Sequence, residues 1–119
     1  LADHIQLLLD TDRDYATAVE LGISAAGETY DQVCGISSYN PKWFVAVSEA
    51  PDSERWTAEI AILLADLTTR TDLAGRAWAI SAHRRSPTEQ DQSWSLLRTH
   101  EPSLQSAGLM LFLPPMPVN

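Results

Sequence analysis

Four short apolar runs, each bounded by turn-forming residues, constrain the fold of this 119-residue chain more than any other feature. They lie at His4–Leu9, at Trp43–Val47, between Gly75 and Arg84, and in the segment GLMLFLPP that begins at Gly108. Apolar runs of about 4–8 residues between turn signals are typical of strands. Because these runs are continuous rather than alternating, they favour a sheet that is covered on both faces.

Two segments between the runs carry the spacing of amphipathic helices. The first covers about residues 12–34, where apolar side chains recur along one helical stripe: Tyr15, Val19, Ile23, Ala26, Tyr30 and Val33. The second covers about residues 53–70, with a similar stripe: Trp56, Ile60, Leu63, Leu64 and Leu67. A repeat of three or four residues predicts an α-helix in each segment.

A third helix is predicted over about residues 87–101, because the sequence SPTEQDQ carries a helix-start signal. Ser86 suits the N-cap, Pro87 suits the first helical position, and Glu89 can complete a capping box. Pro102 then interrupts the pattern, since the residue before a proline is disfavoured in helical conformation.

The predicted order is therefore β-α-β-α-β-α-β, which favours an α/β fold with a mostly parallel four-stranded sheet and helical crossovers. The alternatives are an all-α bundle, which would require the first run and residues 72–84 to be helical, and an antiparallel α+β arrangement. We expect one domain over residues 1–113, because this length is close to the common domain size. Residues 114–119 are rich in proline and predict an extended C-terminal tail.

The charge balance excludes some partners and favours others. The chain has 16 acidic and 8 basic residues, a net charge of −8, and a single cysteine, Cys34. Binding to nucleic acid or to an anionic membrane surface needs a basic face, so we expect neither. A lone cysteine forms no internal disulfide, which favours a reducing, cytoplasmic location.

Acidic and basic residues follow several of the predicted strands and suggest one catalytic hypothesis. In an open parallel sheet, ligands bind outside the carboxyl ends of the strands. Asp10, Asp12 and Glu49 would supply the oxygen ligands that Mg²⁺ prefers. Arg84 and Arg85 would bind a phosphate. This alternative is a small Mg²⁺-dependent enzyme that handles phosphoryl groups.

Two families share a few residues with this acidic segment. An apolar strand followed by Asp10-x-Asp12 resembles the first motif of haloacid-dehalogenase-type phosphatases, over about five residues, but that family has Thr or Val where Asp14 stands. The segment also resembles the metal-binding first strand of von Willebrand A domains, which has serines where Asp12 and Asp14 stand. We assign neither family. Thr11, Asp12 and Asp14 equally suit the first turn of a helix.

The preferred hypothesis is a non-catalytic acidic domain for protein interaction or oligomerisation, with no cofactor. Its partner would be another protein or a second copy of the chain. Trp94 and Leu97 share a narrow apolar side of the third predicted helix, and such tryptophans often mark interfaces. Met116 lies in the apolar tail and is the third candidate contact residue. Whether the protein is also an enzyme stays open at this stage.

Overall fold

Antiparallel strands make up most of the computed structural model, which describes residues 3–13, 18–33, 41–49, 55–89, 91–93 and 107–114. The strands in chain order are β1 His4–Asp10, β2 Val19–Ser24, β3 Thr29–Val33, β4 Trp43–Glu49, β5 Trp56–Ile62, β6 Ala77–Arg85, β7 Gln92–Ser93 and β8 Gly108–Leu111. The described ranges contain no α-helix, and their single helical element is a 3₁₀ turn at Leu64–Asp66.

Six of the strands form one sheet, in the order β3-β2-β1-β6, with β7 and β8 both paired to the remaining edge of β6. Because β8 pairs with residues 77–80 of β6 and β7 with residues 83–84, the two lie end to end along that edge. Strands β4 and β5 form a separate two-stranded ribbon. Every pair is antiparallel, so the predicted α/β fold with a mostly parallel sheet is wrong, and so is the all-α alternative.

The predicted helix over residues 12–34 is wrong, because this segment contains the hairpin of β2 and β3. Val19 and Ile23 are four residues apart, a spacing that places side chains on one side of either a helix or a strand. Leu21, between them, faces the same side and is 1% exposed. Gly27 adopts a φ of 88° in the turn, a conformation that glycine adopts readily.

The predicted helix over residues 53–70 is also wrong, because this segment contains strand β5. Trp56 and Ile60 again fit both periods, but in β5 the half-buried residues alternate strictly with exposed ones. This alternation is the period of a strand with one covered face. The chain then turns through Leu64–Asp66, and Leu67 is buried in the core.

The third predicted helix, over residues 87–101, is wrong in its described part. The Ser86 hydroxyl does accept hydrogen bonds from the backbone N–H groups of Thr88 and Glu89, at 3.3 and 3.2 Å. These bonds close a turn, and the short strand β7 follows it. Residues 94–101 lie outside the described residues.

The four predicted strands are confirmed as strands, at β1, β4, β6 and β8. Residues 72–84, for which the sequence also allowed a helix, contain most of β6. The error lay in the connections between these strands, since all three predicted helices contain further strands that pair with their neighbours.

The main hydrophobic core lies between the large sheet and the ribbon. Its buried members are Leu9, Val19, Leu21, Leu67 and Trp78. Trp43 and Ile62, which face each other at one end of the ribbon, pack against this cluster. We call this side of the sheet the ribbon face and the opposite side the back face.

Within the described ranges, the structure contains no helix with the length and apolar character needed to cross a membrane.

Candidate protein-interaction surface

Strand β8 lies at the edge of the large sheet and exposes a row of leucines. Leu109 and Leu111 are each 57% exposed, and Leu113, just beyond the strand, is 71% exposed. Their partners on β6 are Ala79 and Ala77, whose small side chains cover little of the leucines. The row therefore stands on the back face as an apolar strip open to solvent.

The backbone of β8 presents hydrogen-bonding groups along the same edge. The Phe112 N–H donates to the Arg76 carbonyl at 2.8 Å, and the Phe112 carbonyl accepts from the Gly75 N–H at 2.7 Å. Both backbone groups of Phe112 thus point inward. Because backbone direction alternates along a strand, those of Leu111 and Leu109 point outward. No other strand pairs with this edge in the part of the chain that the structure describes.

The inner side of β8 is held firmly. Met110 and Phe112 pack against the core, and the rings of Phe112 and Trp78 meet edge to face with centroids 4.8 Å apart. Aromatic pairs of this geometry contribute about 0.5–1.5 kcal/mol beyond their buried area. The outer edge is therefore presented by a strand whose conformation is already fixed.

Edge strands usually carry charges that prevent pairing with other chains. The opposite edge of the sheet follows this rule, because β3 contains the charged residue Asp31 and follows directly on Glu28. Residues 107–114 contain no charged side chain. We call the outward backbone groups of this segment, together with Leu109, Leu111 and Leu113, the β8 edge.

The basic residues proposed for phosphate binding point to opposite faces of the sheet. Arg84 faces the ribbon and donates to the Asp3 carboxylate, from Nε at 3.0 Å and from Nη2 at 2.7 Å. Trp56 donates its indole N–H to the same carboxylate at 3.0 Å. Arg85 lies on the back face and donates to Gln6 at 3.0 Å. Arg84 and Trp56 thus fasten one end of the ribbon to the sheet.

The proposed metal ligands are also separated. Asp10 is completely buried at the far end of β1, whereas Asp12 and Glu49 are exposed. Since Arg84 pairs with Ile5, five residues from Asp10, about 15–20 Å lies between them along the strand. Among the described residues, no three His, Cys, Asp or Glu side chains form a group that could hold a metal ion.

One pair of the candidate residues does come together. Glu49 and Arg84 line a polar cavity of about 600 Å³ beside the ribbon, together with Asp3, Arg55 and Glu89. The Arg84 hydrogen bond lowers the pKa of Asp3 below its usual value, so this carboxylate stays charged at neutral pH. The guanidinium of Arg84 therefore forms a structural ion pair with Asp3.

A serine and a histidine share the back face of β6, and an aspartate lies near the histidine. Ser81 and His83 point from the same side of β6, and Asp91 lies 3.7 Å from His83 Nε2. These are the residue types of a nucleophile, a base and an orienting acid. Ser81 and His83 are each 1% exposed, however, so a substrate cannot reach the hydroxyl in this conformation. The arrangement fits a structural role on the covered part of the sheet.

A polar network crosses the back face at the other side of the sheet. Tyr30 extends over Gly22 to β1, where its hydroxyl accepts a hydrogen bond from Gln6 at 2.8 Å. Gln32 donates to the Glu20 carboxylate at 2.8 Å. Burial raises the pKa of Tyr30 to about 12, and the charge of Glu20 adds to the rise against the opposing hydrogen bond from Gln6.

The interaction residues predicted from sequence, Trp94, Leu97 and Met116, lie outside the described residues, and their role stays a prediction. Sequence reasoning missed the leucine row, although it placed a strand there. The run from Leu109 to Leu113 carries no usable signal of this exposure, because every residue in it is apolar.

Comparison of this chain with protein-family models, with curated proteins and with solved structures gives no match. Its function must therefore follow from its own residues.

Proposed function

We propose that this chain is a protein-interaction domain that binds an extended polypeptide segment along the β8 edge. The binding mode is strand addition, in which an incoming segment pairs with the free edge of a sheet. One observation carries the proposal: outward backbone groups and three exposed leucines lie on the same uncharged edge.

Each element of this edge has a defined part in binding. The outward N–H and carbonyl groups of Leu109 and Leu111 supply main-chain hydrogen bonds, which are largely independent of sequence. The leucine side chains favour apolar residues on one face of the incoming strand, and each cross-strand apolar pair contributes roughly 0.2–1 kcal/mol. Because β8 is already fixed against Trp78, little conformational entropy is lost on the receiving side.

The test uses peptides displayed on phage and selected on the purified chain. We expect enrichment of extended peptides with alternating apolar residues, which bind wild type and lose binding to Leu111→Lys. Leu63→Lys is the matched control, because Leu63 is 51% exposed and belongs to the segment that follows β5, not to the β8 edge. Two sets of synthetic peptides would be N-methylated at alternate residues, one set at the odd and one at the even positions. Only the set whose methyl groups replace the N–H groups that pair with β8 should lose binding.

Two results would count against strand addition. One is the absence of any enriched peptide whose binding depends on Leu111. The other is binding that tolerates N-methylation in both phases, since this would mean that side chains alone make the contact.

A further inference from the structure

We infer that the segment that binds the β8 edge is β8 of a second copy, so that the chain forms a symmetric dimer with a continuous sheet. This inference rests on the proposed function and names its partner. A two-fold axis requires a surface that is complementary to itself. An antiparallel pair of identical strands meets this requirement when the strand is long enough and free of charge.

The spacing of the leucines selects one register. With Leu111 opposite Leu111 of the second copy, Leu109 faces the second copy's Leu113, and all six leucines form one stripe. A register shifted by two residues would leave leucines unpaired at both ends. Leu109 and Leu111 also direct their backbone groups outward, so the chosen register places hydrogen-bonding groups opposite one another.

Proline does not obstruct this pairing. Pro114 is two residues beyond Phe112, so its backbone groups point in the same direction as those of Phe112, toward β6. The N–H that Pro114 lacks would therefore face inward and would not serve the dimer. In the chosen register Pro114 lies opposite Gly108 of the second copy, where its ring meets no side chain.

The distribution of charge favours a second copy at this edge. Residues 1–40 contain seven of the 16 acidic residues and only one basic residue, Arg13. Of the strands of this segment, β1 is the nearest to β8, at two strands' distance, so the β1 strands of the two copies would lie five strand spacings apart. At about 4.8 Å per spacing this is roughly 24 Å, about three times the Debye length of about 8 Å at physiological salt. Pairing through β8 thus joins two acidic chains at their neutral ends.

The experiment maps the register by cysteine cross-linking of the whole chain. In a Cys34→Ser background, which removes the only native cysteine, Leu111→Cys should form a covalent dimer with a short bismaleimide. Leu109→Cys alone should not, because its counterpart lies four residues along the strand, about 13 Å away. A mixture of Leu109→Cys and Leu113→Cys chains should cross-link to each other. Thr57→Cys, on the exposed side of the ribbon, is the control for random collision.

Sedimentation velocity of the unmodified chain gives the independent readout. We expect a dimer that Leu111→Lys converts to monomer and that Leu63→Lys leaves intact, with the circular dichroism of both variants unchanged. A monomer at high concentration, or cross-linking at Leu109 instead of Leu111, would overturn the inference. If such a monomer still selects strand peptides through Leu111, the proposed function stands with a different partner, and if it selects none, both fall.

Discussion

Tyr30 lies across Gly22 so closely that a Cβ atom at position 22 would overlap the tyrosine ring. The two residues face each other in the pairing of β2 with β3, and the ring passes over β2 to reach Gln6 on β1. A glycine in a strand interior normally weakens the strand. Here it provides the space that lets one side chain connect three strands.

Gly22→Ala should therefore destabilise the fold by about 1–3 kcal/mol, the usual cost of overpacking a tight contact. Chemical denaturation measures this cost. In a Tyr30→Ala background the same substitution should be neutral or stabilising by up to about 1 kcal/mol, because alanine loses less backbone entropy than glycine. An equal cost in both backgrounds would show that the tyrosine ring is not the cause.

Stability should fall at alkaline pH through the Tyr30 hydroxyl. Its pKa is raised to about 12 in the folded chain, against an ordinary value of about 10, so folding favours the protonated form. This contribution is complete below about pH 10 and is lost as the pH rises through about 12. Since Tyr30 is 38% exposed, solvent screening reduces the effect to about 1 kcal/mol. Urea denaturation across this range should show a smaller fall for Tyr30→Phe, and equal falls would contradict the prediction.

Acidification should weaken the attachment of the ribbon through Asp3. Its pKa is lowered mainly by the Arg84 hydrogen bond, so its contribution is present above the ordinary value of 3.8 and is lost as the pH falls through the folded-state pKa. Asp3→Asn should cost about 1–2 kcal/mol at neutral pH and show a shallower acid transition than wild type. Asp72→Asn is the control, because Asp72 forms an exposed ion pair with Arg76. If both variants behave alike, the Asp3 pair contributes no more than a surface ion pair.

Mg²⁺ should not raise the melting temperature at millimolar concentration. Asp10 is completely buried and Asp12 is exposed, so the two carboxylates do not face a common site. Differential scanning fluorimetry with and without Mg²⁺ tests this. Asp10→Ala should cost about 1–3 kcal/mol, because it leaves the group that interacts with the buried carboxylate unsatisfied. A Mg²⁺-dependent rise that Asp10→Ala abolishes would restore the metal hypothesis.

Much of the strand content could be predicted from the sequence, but the pairing could not. Continuous apolar runs identified β1, β4, β6 and β8, since such runs fit strands whatever their direction. The helical and the strand period are both satisfied by Val19 with Ile23 and by Trp56 with Ile60. In the hairpin of β2 and β3, the buried Leu21 between Val19 and Ile23 and the turn at Gly27 distinguish a strand from a helix.

The candidate surface was less accessible to sequence reasoning than the strands. The leucine row is exposed only because β8 lies at the edge of the sheet. That position depends on pairing with β6, which is distant in sequence, so it could not be predicted from local patterns. Predicting a parallel sheet also placed Asp10 and Arg84 at one edge. In an antiparallel sheet the chain direction alternates, and these residues lie toward opposite ends of β1 and β6.

The pairing of His4 with Arg85 has a consequence for how the chain acquires its fold. Strand β1 lies at the centre of the sheet, but its paired residues on β6 are 69–81 positions away in sequence. Contacts of such high sequence separation slow folding, because a long loop must close before they form. During synthesis, β1 can pair with β2 early, yet its other edge must wait until β6 has left the ribosome. The newly made chain therefore carries β1 with one edge unpaired until β6 has been synthesised.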